Sequence, residues 1–407
     1  MRSLAGILAL SLAAQAANGG ALQEALFARD VLGLEHMSLT DSASEPARLA
    51  AGAAFSLRHR DDAALALLTP LARGGADAEI RGSACWAMSD VLLRQGRYAE
   101  LRDALRCAEA AGHIPAESGQ VLRYAEVLAG EKPMRWAGAA SGRIRARRDR
   151  GGMVRVPVTL GGHEEEAVID TDASFCVISR SMARRLGVRL LEPAVTIITT
   201  ARADQPMHLG IAAELKLGDS VFTDVVFAVL DDAAMQFRSD YRMDVVLGLP
   251  VLLALHRIEI SETGGLSLIY GARAASDAKP NIALSGLDPF ALLEEPHSGA
   301  VLRLAIDSAA SNTTLNAGAL RAFPALAEGS TGSTARWSGV GGNRSDGRAR
   351  AIPALRLVVG ARTLSLPRVQ VLSDEEADRH GAIGEDLLRQ GSNWVLDFDA
   401  MRFEIGE

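Results

Sequence analysis

Two segments of this sequence run from apolar residues into an acid and then a hydroxyl. One reads Glu165-Glu166-Ala167-Val168-Ile169-Asp170-Thr171-Asp172-Ala173-Ser174, the other Leu302-Arg303-Leu304-Ala305-Ile306-Asp307-Ser308-Ala309-Ala310-Ser311. They align without a gap and share Asp-Thr/Ser-x-Ala-Ser at the end of a strand pattern. Asp-Ser and Asp-Thr are common, so either copy alone says little. Together they are candidates for acid–base work. Two carboxylates held ~3 Å apart cannot both ionise comfortably and come to share one proton. One is then a base and the other an acid at the same pH. A second landmark recurs at nearly the same offset: Val246-Leu247-Gly248 and Ala382-Ile383-Gly384, which lie 78 and 77 residues after their aspartates. Between the landmarks lie matching strand patterns, Glu214–Leu230 and Leu355–Leu372, and each unit closes on another, Arg257–Ile260 and Val395–Phe398. A duplication accounts for this pattern.

Asp-Thr/Ser-x-Ala followed at a distance by apolar-apolar-Gly resembles the retropepsin-like and pepsin-like aspartic peptidases, over about residues 142 to 407. The resemblance implies a mainly β fold: two retropepsin-like closed β-barrel lobes, 142–272 and 273–407, related by duplication. It implies that Asp170 and Asp307 meet at the floor of a cleft and bind a water between them, hydrolysing a polypeptide without cofactor or metal. It also implies that the Thr171 and Ser308 hydroxyls cross-bond the two loops, and that Ser174 and Ser311 donate to the outer oxygens of the aspartates. A hairpin flap is implied too, at Thr199–Gln205 in one lobe and Trp337–Gly342 in the other. Gly339 and Gly341 suit a mobile tip, and Trp337 either lines a subsite or packs beneath it. With both loops in one chain, a monomer suffices.

The third motif residue departs from the family's glycine. It is Asp172 in one lobe and Ala309 in the other. Asp172 brings a third carboxylate near the pair if it faces inward, and changes little if it faces solvent. An alternative reading follows, a protease-like peptide-binding protein that holds a partner without cutting it.

The remaining sequence must support these loops. At 407 residues the chain is long for one core, and 48% hydrophobic with 23% charged residues is ordinary globular composition. A net charge of −7 argues against nucleic acid as the main partner. Residues 20–131 have a helical pattern, with apolar positions at i, i+3 and i+4 over Pro46–His59, Asp62–Leu71, Glu79–Arg94 and Tyr98–Ala111. Around Gly96 they resemble one tetratricopeptide hairpin, with a generic helical bundle as the alternative. This all-α helical-hairpin domain reads as a docking or spacer module, open to a protein partner. A linker over 132–141 leads to an Arg-rich stretch, Arg143 to Arg150, read as an exposed hairpin in preference to a processing site or anionic contact. Residues 1–17 have the charged start, short apolar run and Ala14-Gln15-Ala16 ending of an export signal, which implies the periplasm or secretion. No segment is long and apolar enough to span a membrane. Of the three cysteines, Cys85 and Cys107 lie on adjacent helix patterns and could pair. The eight histidines form no metal-binding motif.

Overall fold

The computed structural model describes residues 20–74, 77–112, 118–197, 199, 204–238, 240–271, 278–374, 376 and 378–407. The expected export segment lies outside the described residues. Residues 20–27 are helical, followed by α1 (Val31–Met37), α2 (Glu45–Leu57), α3 (Asp61–Arg73), α4 (Ala78–Arg94), α5 (Tyr98–Ala110) and α6 (Ser118–Leu128). The four helices expected from periodicity are α2 to α5. Side chains fix the starts of α2 and α4: Ser44 accepts from the Ala47 N–H, and Asp77 from those of Glu79 and Ile80. The α4–α5 turn passes through Gly96 at φ +63°, where an added Cβ would lie 2.9 Å from Pro133. Cys85 and Cys107 are joined as a disulfide between α4 and α5. Most sides of α4 are buried, because other helices and the β region surround it.

The β region begins in the stretch expected to be a linker. Arg135–Ala137 is a short strand paired with Val221–Thr223, so the linker is partly built into the sheet. The strands that position the site are β1 (Ser141–Arg145), β2 (Val154–Leu160), β3 (His163–Ile169), β4 (Cys176–Ser179), β5 (Gln205–Leu217), β6 (Ser220–Leu230), β7 (Val245–Leu247), β8 (Arg257–Ser261) and β9 (Ser267–Gly271). In the second half they are β10 (Ile282–Ser285), β11 (Asp288–Glu295), β12 (Ala300–Ile306), β13 (Thr314–Asn316), β14 (Ala335–Gly339), β15 (Gly342–Asp346), β16 (Arg350–Ile352), β17 (Leu355–Val359), β18 (Arg362–Leu366), β19 (Val369–Leu372), β20 (Gly381–Ile383), β21 (Asn393–Asp397) and β22 (Arg402–Ile405).

Strand order in the first sheet runs β6-β4-β7-β3-β2-β5, and in the second β19-β13-β20-β12-β11-β17. In each, the strand before the aspartate lies parallel to the strand before the landmark glycine. Val168 and Ile169 face Val246 and Leu247, and Ala305 and Ile306 face Ala382 and Ile383. The β5–β6 hairpin is continuous, whereas its counterpart breaks into β16/β17 and β18/β19 at Pro353 and Pro367. Proline has no N–H for the ladder. A third sheet, β1-β9-β8-β21-β22, joins the halves by pairing Ile258 with Leu396 and Ile260 with Trp394. The Arg-rich stretch lies along this sheet and β2. Arg147 pairs with Glu166, Arg150 with Asp240, and Arg148 with Glu262 and the buried Glu385.

The helices pack directly on both halves. Arg94 donates to the Gly286 carbonyl at 3.1 Å and Arg58 to that of Ile282 at 2.9 Å. Tyr98, Leu101, Leu105 and Leu122 share a core with Phe175, Val195 and Met207, while helix residues including Leu68 and Trp86 share another with Ala283 and Phe290. Among the described residues no helix is long and apolar enough to cross a membrane.

Candidate active site

Each aspartate is fixed by the strand beside it. The Asp170 N–H donates to the Leu247 carbonyl and the Asp307 N–H to that of Ile383, both at 3.0 Å. The landmark glycines then pass close under the loops. A Cβ on Gly248 would meet the Phe175 carbonyl oxygen at 2.2 Å, and one on Gly384 would meet the Asn312 carbonyl carbon at 2.5 Å. The sixth residue after each aspartate completes the turn. The Gly248 N–H points at the Cys176 sulfur at 3.4 Å, and the Gly384 N–H donates to Thr313 Oγ1 at 3.1 Å. Cys176 is buried and its thiol is pushed up to about 12 by that burial.

The two loops are tied through their hydroxyls. The Thr171 N–H donates to Ser308 Oγ at 3.2 Å, and the Ser308 N–H donates to Thr171 Oγ1 at 3.1 Å. Ser308 Oγ donates onward to the Ile169 carbonyl at 2.9 Å, and Thr171 Oγ1 donates to that of Ile306. Each hydroxyl thus accepts once and donates once, in the geometry the resemblance implies. Both residues are fully buried, so losing either would orphan polar groups away from water.

This link sets two acids side by side. Asp170 accepts from the Asp172 N–H at 3.1 Å, and Asp307 from the Ala309 N–H at 2.8 Å. Both carboxyls are pushed from the ordinary 3.8 up to about 7. Burial is the main cause, followed by the charge of Asp172 on Asp170 and of Asp170 on Asp307. Because the charge of Asp170 acts on Asp307, the two titrate as a unit.

Asp172 faces inward, but it is not a lone extra acid. Arg379 Nη1 lies 3.4 Å from each of its carboxylate oxygens. Burial pushes Asp172 upward, Arg379 opposes it, and the charges of Asp307, Asp288 and Glu376 add to the rise.

The two supporting serines differ from expectation. Ser174 donates to Asp288 at 2.6 Å rather than to Asp170, because β11 brings that acid against the loop from the other half. Ser311 is exposed. Of the flap expected at Thr199–Gln205, residues 200–203 lie outside the described residues, although Val195–Ile197 pairs with Met207 to Gln205 as hairpin arms. Strands β14 and β15 form the other hairpin. Its tip is anchored rather than free: the Gly341 N–H donates to the Ala234 carbonyl at 3.0 Å, and Val340 packs on the core shared with the helices. Trp337 is partly buried, its ring 5.5 Å from the Arg344 guanidinium, and Gly339 is buried. No group of His, Cys, Asp and Glu suited to a metal occurs among the described residues.

Residues 156–251 match the family model for aspartyl proteases. Over this segment, which holds the Asp170 loop and Gly248, the chain is similar to the aspartyl proteases. Among solved structures, the chain is similar to a retropepsin-like aspartic protease from Rickettsia conorii, at 18% identity and a TM-score of 0.26, over 34% of this chain and 96% of that one. It is also similar to conglutin gamma, a basic 7S globulin from lupine seeds, at 8% identity and a TM-score of 0.41, over 65% and 94%. The curated proteins contain no match.

Sequence reading missed Arg379, Asp288 and the structural role shared by Cys176 and Thr313. Only the last pair left a signal, since they lie at the same 137-residue offset as the aspartates. Arg379 reaches Asp172 across 207 residues, and Asp288 reaches Ser174 across 114, with no local pattern.

Proposed function

We propose that this protein is an aspartic endopeptidase in which Asp170 and Asp307 form the catalytic pair. The reciprocal Thr171–Ser308 link is the observation that carries this reading, because it holds the two acids in register from opposite halves. In the singly protonated pair, the carboxylate takes a proton from a water whose oxygen bonds to the peptide carbonyl carbon. The protonated partner supplies a proton to the departing nitrogen as the C–N bond breaks. The β14–β15 hairpin would act as the flap over a bound polypeptide. The matching strand orders support two closed barrels of duplicated origin, and with both loops in one chain a monomer would be complete. The Cys85–Cys107 bridge fits the expected export to an oxidising compartment.

One observation favours peptide binding without cleavage: the bulk and charge of Asp172 where the family carries glycine. Incubation of the purified protein with a mixed peptide library from pH 3 to pH 9 separates the two readings. Cleavage that vanishes in Asp170→Asn and in Asp307→Asn is the expected result. A folded wild-type protein that binds peptides and cuts none at any pH would overturn the peptidase reading.

A further inference from the structure

Asp172 and Arg379 belong to opposite halves, and neither position is explained by the paired acids alone. Arg379 lies in the segment leading into β20, whose continuation through Gly384 flanks the Asp307 loop. Its Nη1 contacts both oxygens of Asp172, while its Nε lies 2.8 Å from Glu376 and 3.9 Å from Asp378. The side chains of Arg379 and Asp172 are only 24% and 20% exposed, so water screens the pair weakly. We propose that Arg379 is a positioning residue for the paired acids: it grips Asp172 and so fixes where the third carboxylate lies relative to Asp170 and Asp307.

The local connectivity makes this more than a surface ion pair. The Asp172 N–H donates to Asp170 Oδ1, so the backbone of the gripped residue is itself a ligand of a paired acid. An unheld Asp172 side chain would be free to turn toward the water between the acids. The charged groups facing it are Asp170 and Asp307 on the loops, Glu376, Asp378 and Arg379 before β20, and Asp288 at the start of β11. Behind Asp288 stand Asp90 of α4 and its partner Arg29. Burial works against the Arg379 charge, but the carboxylates of Asp172, Glu376, Asp378 and Asp288 outweigh it, so the guanidinium stays protonated. One fixed cation thus stands among four carboxylates and beside the working pair.

The proposal rests on the catalytic reading of Asp170 and Asp307, but its test does not need turnover. Carboxyl carbons of Asp are labelled in the full chain and titrated by NMR, with Asp170 and Asp307 assigned through their Asn variants. Arg379→Gln removes a cation from the cluster and should raise the midpoint of the paired titration by on the order of one pH unit. Arg379→Lys keeps the charge and should restore most of that shift. Arg379 also lowers Asp307 directly, so in an Asp172→Gly background Arg379→Gln should keep only that direct part and move the midpoint less than in the wild type. An equal shift in both backgrounds, or none in either, would overturn the proposal. If Arg379→Gln does not fold, Asp172→Asn reads the same pair from the other side. The midpoint should then fall, and an unchanged midpoint overturns the proposal equally. Absence of hydrolysis in every variant would instead sink the peptidase reading and leave this cycle to be decided by the titration.

Discussion

Asp170 and Asp307 hold their protons more tightly in the folded chain than in the unfolded one, at about 7 against an ordinary 3.8. The folded state therefore binds more protons between those values, so its stability falls as pH rises through that window. Asn in place of either acid keeps the shape and removes the ionisation. Each single variant should lose nearly all peptidase activity yet melt higher than wild type at pH 7 to 8, with the difference vanishing below pH 3.8. The double variant should be scarcely less active than either single one, because the two acids act as a unit. Melting curves at both pH values, taken with the activity assay, check this. A variant melting lower than wild type at pH 8 would contradict the burial-driven rise. The hydroxyl link makes a separate demand. Thr171→Val leaves the Ser308 N–H and the Ile306 carbonyl without their partner, at a cost of about 1–3 kcal/mol, readable as a shift in the urea midpoint.

At the scale of elements, each aspartate loop is a strand end held by a parallel neighbour, and each neighbour ends in glycine. The strand ends were legible in the sequence, because the alternation of β2 and the apolar runs ending in Asp170 and Asp307 are dictated by a half-buried or fully buried sheet, whereas the parallel pairing was not. The landmark glycines were legible for the same reason, since a loop carbonyl occupies the place of a side chain. Where the sequence was silent, the cause is long-range geometry. Ser174 turns to Asp288 and Asp172 to Arg379 because strands far apart in the chain converge, and no local periodicity encodes that. Gly248→Ala and Gly384→Ala should each be destabilising by about 1–3 kcal/mol, the usual cost of overpacking. Their effect on turnover should exceed their effect on stability, because the displaced atoms belong to the aspartate loops. Chemical denaturation beside kcat measurements separates the two, and a stability loss with unchanged kcat would argue that the loops tolerate the shift.

For the whole molecule, the helical module is part of the site's foundation and not a spacer. Tyr124 of α6 stands edge-on to Phe175 at 5.6 Å, and its hydroxyl donates to the Thr196 carbonyl at 2.7 Å. Phe175 lies five residues after Asp170, and Thr196 lies in an arm of the first hairpin. One side chain thus braces both the aspartate loop and the hairpin beside it. The cores give no boundary at which the module could come away, since helix and strand residues interleave in two of the hydrophobic clusters. Residues that share buried surface should unfold together. The intact protein should therefore show one calorimetric transition, and a chain lacking residues 20–131 should aggregate through its uncovered Phe175, Val195, Met207 and Phe290. Tyr124→Phe keeps the ring and removes the hydroxyl that reaches the Thr196 carbonyl and Gln120, so it should lose about 0.5–1.5 kcal/mol. Tyr124→Ala also opens a cavity beside Phe175 and should lose about 3–5 kcal/mol. If the brace serves the site, Tyr124→Ala will lower kcat on peptides well below its melting temperature, where the folded fraction is unchanged, while Tyr124→Phe will lower it far less. Two separate thermal transitions in the wild type, or full turnover by folded Tyr124→Ala, would show that the helices ride on the β region without shaping it.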